Sequence, residues 1–150
     1  MLMHQLIHPQ ILAALAAAGH GSQVLVADGN YPVSTQSGHR AALVHLNLSP
    51  GVVGVPEVVQ ALVTAVPLEA AAVMVPDDGE PPPVHAEVEA LLPEGLALRP
   101  LDRFAFYEAC RGEDLALVVA TAEQRVYANV LLTIGVRTAD ADGAVDGGAS

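Results

Sequence analysis

The sequence predicts an α/β protein, a three-layer α/β/α arrangement around a mostly parallel, mixed sheet of about six strands. Short apolar, partly β-branched runs alternate with alanine- and leucine-rich segments of helical character. The runs are continuously apolar, as expected of strands covered on both faces. The 150 residues, 52% hydrophobic and only 15% charged, suffice for one core and one domain.

The elements follow in order. Pro9 suits a first helical turn, and Gln10 to Ala18 continues it until Gly19, giving a helix over 9–18. Gln23 to Ala27 reads as a buried strand ending at Asp28, followed by a turn at Gly29-Asn30-Tyr31-Pro32 and a second strand from Ala42 to Leu46. A helix spans Pro56 to Val66 and stops at Pro67; Ala70 to Val75 is a strand, and Val84 to Leu92 a helix. Leu96 to Pro100 is a short strand, and Asp102 caps a helix that reaches Cys110. Leu115 to Ala120 and Tyr127 to Ile134 complete the strands. From Thr138 the composition falls to Ala, Gly, Asp, Val and Ser, which buries too little area to offset its ordering entropy. The expected layout is a domain over 1–137 and a disordered acidic tail over 138–150.

Composition excludes several functions. All six basic residues are arginines, and the chain has no lysine, which removes Schiff-base and pyridoxal phosphate chemistry and the lysine-ended phosphate loop. A formal charge of −11 argues against nucleic acid and anionic membranes as partners. Most of that charge lies in residues 76–94 and in the tail, so it reads as a solvated segment of little functional weight. The single cysteine, Cys110, permits no internal disulfide and no zinc site; a reducing compartment, the cytoplasm, is expected. The first nine residues have no basic region and meet Pro9 early, unlike a secretory signal, and the most apolar window, Val58 to Val75, is broken by Gln60, Thr64, Pro67 and Glu69. A soluble protein is expected.

Ligands of open α/β sheets bind outside the carboxyl ends of the strands. Three polar groupings answer to that rule: His20 with Asp28 around the first strand, Arg103 at the start of a helix, and Tyr127 with Asn129 on the last strand. All five aromatics, Tyr31, Phe104, Phe106, Tyr107 and Tyr127, fall near these groups, as the wall of a pocket would. Each residue also has an ordinary role. His20 caps a helix end as readily as it catalyses, Asp28 is a common turn former, and Arg103 pairs with Asp102 or Glu108. On a strand Tyr127 and Asn129 face the same side, a suitable clamp for a polyhydroxylated ligand. No metal site is expected: Pro9 is too near for a helix through His4 and His8, and no third ligand is close in sequence.

These residues also resemble a known family, the D-ribose pyranase and L-fucose mutarotase family of sugar-anomer isomerases. The likeness spans about Met1 to Val136 and rests on Ile7-His8-Pro9, Gly19-His20-Gly21, Ala27 to Pro32, Arg103-Phe104-Ala105-Phe106-Tyr107-Glu108, and Tyr127-Ala128-Asn129 with the strand that follows. It implies that His20 is the proton donor and that Asp28, Arg103, Tyr127 and Asn129 bind the sugar. The Arg103 stretch resembles the fucose branch, whereas Ala128 resembles the ribose branch. The family's Thr-Gly-Glu reads Thr121-Ala122-Glu123 here; if that glycine needs positive φ, Ala122 strains the turn. The resemblance further implies ring-like homo-oligomers, commonly decamers, in which the C-terminal strand of one subunit completes its neighbour's site.

Interconverting the forms of a reducing sugar needs one proton placed on the ring oxygen and one taken from the anomeric hydroxyl. General acid and base suffice, with no cofactor. A histidine suits the first task; Asp28 would orient it, and the base stays unassigned. The alternatives are a non-catalytic monosaccharide-binding or regulatory subunit and a scaffold-type oligomer.

Overall fold

In the computed structural model, which describes residues 1–142, the chain begins with α1 (Pro9–Ala17), β1 (Gln23–Ala27), β2 (Ala42–His45) and α2 (Val55–Leu62). It continues through β3 (Leu68–Met74), α3 (Pro83–Glu89), β4 (Leu98–Leu101) and α4 (Arg103–Cys110), and ends in β5 (Leu115–Ala120) and β6 (Val130–Ile134). A 3-10 turn follows at Ala139–Asp142; of the tail expected over 138–150, residues 143–150 lie outside the described residues.

The local signals act where the sequence puts them. Pro9 opens α1, and the His8 side chain caps that helix by accepting from the Ile11 amide. Asp102 caps α4, accepting from the amides of Phe104 and Ala105.

The six strands form one sheet in the order β2-β5-β1-β6-β3-β4. Within the block β2-β5-β1, and between β3 and β4, pairing is parallel; β6 lies between the blocks and runs antiparallel to both neighbours. The mostly parallel, mixed six-stranded sheet is therefore as the sequence predicts. Five strands bring their carboxyl ends to one edge, and β6 brings its amino end to that same edge.

Burial explains the continuous apolar runs. Val24 and Val26 of β1 face a core completed by α1, α2 and α3, with Ile11, Val59 and Val88 among its contacts. Leu25 and Ala27 face the other side, where Phe106 and Cys110 of α4 cover Ala72, Met74 and Leu131. Successive strand residues point to opposite faces, so a sheet buried on both sides leaves no polar alternation. Phe106 is completely buried, and a side chain of that size contributes roughly 2–3 kcal/mol by leaving water.

One boundary differs in a way that matters for the site. The last strand starts at Val130, not Tyr127, because Tyr127 has φ of +58°, a left-handed conformation that no strand continues through. Tyr127 and Asn129 thus precede the strand and do not share one of its faces. Among the described residues no helix is long and apolar enough to cross a membrane.

Candidate functional site

At the edge where five strands end, a cleft of about 240 Å³ opens between β1, β3, α4 and the segment entering β6. Asp28, Asn30 and Tyr31 line it from the turn after β1, and Met74 from the end of β3. Arg103 and Tyr107 of α4 form a second wall, and Val126, Tyr127 and Asn129 a third. Its position at the carboxyl ends of strands fits the rule for open α/β sheets.

Asp28 is the most constrained group. It is 4% exposed, and its carboxylate accepts from the Asn30 amide at 3.0 Å and the Ala128 amide at 3.3 Å. Burial still outweighs these bonds, so the carboxyl titrates above its ordinary value. The Asp28 amide donates to Oδ1 of Asn129 at 2.7 Å. The Asn129 side chain also helps to hold the Asp28 carboxylate in its charged form. Two residues about a hundred positions apart in sequence are thus cross-linked across β1 and β6, and both belong to the cleft wall.

The aromatics are sorted by the fold. The Tyr31 hydroxyl donates to the Gln36 carbonyl at 2.7 Å, and burial pushes this phenol up, so it stays protonated. Its ring meets those of Tyr107 and Phe106 edge to face, with centroids 5.5 and 6.2 Å apart. Arg103 lies over the Tyr107 ring, 5.6 Å from its centre. Tyr31, Tyr107 and Tyr127 reach the cleft; Phe106 is core, and Phe104 is 77% exposed outside the lining. Cys110 is wholly buried and its thiol is pushed up to about 11 by burial, which makes it a packing group and not a nucleophile.

His20 is not in this cleft. It precedes β1, where Gly21 bonds the Ile134 carbonyl at the far end of β6. The five residues of β1, at about 3.3 Å each, put roughly 16 Å between the two ends of the strand. His20 therefore cannot act on Asp28 within one chain, and the grouping read from the sequence is corrected: Asp28 is at the carboxyl end, His20 at the amino end. There the imidazole is exposed and its Nε2 pairs with Oε2 of Glu69 at 2.9 Å.

The segment carrying Tyr127 and Asn129 is pinned from below. Glu123, 6% exposed, receives the Val55 amide at the start of α2 and two guanidinium nitrogens of Arg125 at 2.9 Å. Arg125 holds the Glu123 carboxyl down at about 2. A group depressed in this way adds stability that is complete above its unfolded value of 4.5 and lost as pH falls through about 2. Glu123→Gln is accordingly expected to cost about 1–3 kcal/mol in urea unfolding at pH 7, because the charge-assisted pair is lost. The gap to the parent protein should close as unfolding is repeated toward pH 2.

The sequence model of the RbsD / FucU transport protein family matches residues 1–137. The chain belongs to this family. Within it, the chain is 36% identical over 146 residues to a fucose mutarotase of Homo sapiens, covering 87% of this chain and 90% of that protein. It is 37% identical over 134 residues to a D-ribose pyranase of Streptomyces coelicolor, covering 87% and 95%. The crystal structure of a fucose mutarotase in complex with L-fucose from Streptococcus pneumoniae superposes with a TM-score of 0.74 at 26% identity, covering 88% of this chain and 95% of that one.

Ala122, where the sequence reading allowed for a strained turn, shows no strain. Among the described residues Tyr127 is the non-glycine residue with positive φ, whereas Ala122 donates to the Val53 carbonyl and accepts from Gly51 in ordinary geometry. Sequence reasoning missed Asn30, Met74 and Val126 as lining residues. Asn30 and Met74 follow or end predicted strands, so the strand-end rule held the signal for both. Val126 is 59% exposed at the mouth, and nothing in its local sequence marks it.

Proposed function

We propose that the protein interconverts the anomers, or the ring forms, of a monosaccharide by acid–base opening and closing of the ring, without a cofactor. The observation that carries this reading is the buried, upward-shifted Asp28 carboxyl fixed beside the Asn129 amide in a small cleft that also presents Arg103 and three tyrosines. At 240 Å³ the cleft is below the roughly 300–1,000 Å³ of sites for larger ligands, which suits a single sugar. Asp28 takes the proton from the anomeric hydroxyl, while Arg103, Tyr127 and Asn129 hold the other hydroxyls. His20 supplies the proton to the ring oxygen. Since His20 stands at the opposite edge of its own sheet, the donor belongs to a second copy of the chain, in a homo-oligomer for which a decamer is the first expectation. The cytoplasm is the proposed location.

L-fucose is the first candidate substrate and D-ribose the second. Met74 and Val126 give the cleft an apolar strip that matches the methyl group of a 6-deoxyhexose, and the fucose mutarotase relatives point the same way. A second reading, a monosaccharide-binding subunit without catalysis, draws on the absence of His20 from the cleft of one chain. NMR saturation transfer between anomeric signals separates the two. Trace protein should transfer saturation between the anomers of L-fucose, or among the forms of D-ribose, faster than buffer alone. Line broadening without transfer favours the binding subunit, and no effect on either sugar removes both as ligands.

A further inference from the structure

The acidic segment over 76–94, which composition reads as mere solvated surface, carries the two groups of α3 that touch the Tyr127 loop. His85 is buried, 6% exposed, and its Nε2 lies 2.8 Å from the Tyr127 carbonyl. A carbonyl only accepts, so Nε2 carries the proton and His85 donates. Two residues along the helix, both oxygens of Glu87 receive Nη1 of Arg125 at 2.9 Å. Arg125 in turn grips Glu123. Between these two ties sits Tyr127, at φ of +58°, in a conformation a bulky side chain does not adopt unless its surroundings enforce it. The reversed backbone turns the residue's carbonyl to α3 while its ring lines the cleft.

We propose that His85 and the Glu87–Arg125 pair are positioning residues: α3 clamps the loop before β6 and so holds Tyr127 in the left-handed conformation that keeps its side chain on the cleft wall. None of the three lines the cleft, so each acts through Tyr127. The role in turnover rests on the isomerase reading above; the clamp itself does not.

The test therefore has two arms. In the first, the protein is labelled with fluorotyrosine, which gives one 19F resonance for each of its three tyrosines, and Tyr127→Phe assigns the resonance of interest. His85→Ala and Glu87→Ala should each shift or broaden the Tyr127 resonance and leave that of Tyr31 in place, while His85→Gln, which keeps a donor, should restore it. Glu87 is half-exposed, so Glu87→Ala carries this arm even if truncating the buried histidine unfolds the chain. A Tyr127 resonance unmoved in the folded variants overturns the clamp, whether or not any sugar is turned over. In the second arm, on the sugar the parent protein exchanges, His85→Ala should lower kcat/KM by up to about a hundredfold, the scale on which a misplacement of about 1 Å acts. In a Tyr127→Ala background the same change should add almost nothing; full additivity of the two losses overturns the claim that His85 works through Tyr127. If the parent protein exchanges no sugar, the isomerase reading falls and the 19F arm alone decides the clamp.

Discussion

His20→Ala is expected to remove sugar exchange, and co-assembly with Asp28→Asn is expected to bring part of it back. The first half follows from chemistry: a positioned proton donor is worth about 10²–10⁴ in rate. The second half follows from geometry. His20 and the cleft lie at opposite ends of β1, so the proposed reaction needs His20 from one copy and Asp28 from another. Refolding an equal mixture of the two inactive variants pairs an intact His20 with an intact Asp28 in roughly a quarter of the interfaces, if copies associate at random in a closed ring. Exchange by the mixture should approach that fraction of the parent rate, and each variant alone should stay near the uncatalysed rate. Sugar binding by His20→Ala, followed through line broadening, should largely survive, since the cleft of that chain is unchanged. A mixture as inactive as its components would place both groups in one chain's chemistry or remove His20 from the reaction.

Asp28→Asn should lower kcat by about 10²–10⁴ while leaving the fold nearly as stable as before. The opposite directions come from the same burial. The Asp28 carboxyl is raised above its ordinary value of 3.8 by desolvation, so folding favours the protonated form. Its contribution to stability is complete below 3.8 and is lost as pH rises through the folded value. Above the folded value the buried charge is therefore a burden on folding that asparagine relieves. Against this, the Asn side chain keeps only one acceptor for the two amides of Asn30 and Ala128. The two effects oppose one another. Urea unfolding at pH 7 checks the stability, and the pH–rate profile checks the role. The parent's activity should rise as Asp28 ionises, on a limb above pH 3.8, and the variant should lack that limb. A strongly destabilised variant would make Asp28 a structural residue first.

Much of the fold is legible because the sheet is buried on both sides. Gln23 to Ala27 and Leu115 to Ala120 read as strands from their apolar character, and Pro9, Asp102 and Gly19 punctuate the helices from local chemistry alone. Asp28 and Arg103 are legible for a related reason: each follows a strand, where a cleft of this class forms. His20 shows where such reasoning stops. A residue a few positions before a strand and one just after it are neighbours in sequence but occupy opposite edges of the sheet. Tyr127 is harder still. Nothing in Val126-Tyr127-Ala128 announces positive φ, because the groups that enforce it, His85 and Glu87, come from a helix far away in the chain. Glu87 of the acidic segment pairs with Arg125, a partner that composition does not report.

The placement of β6 has a consequence for synthesis. Until residues 130–134 emerge, β3 and β4 have no hydrogen-bonded link to the strands from the first third of the chain, and β1 also waits for β5. Contacts so distant in sequence form slowly, and the unpaired apolar edges of the two halves are open to wrong partners on a nascent chain. The insertion that ends this exposure is also the one that seats Asn129 against Asp28. A molecule that escapes the ribosome unfinished thus keeps both edges open, and a ligand that engaged Asp28 and Asn129 together would draw the late strand into place.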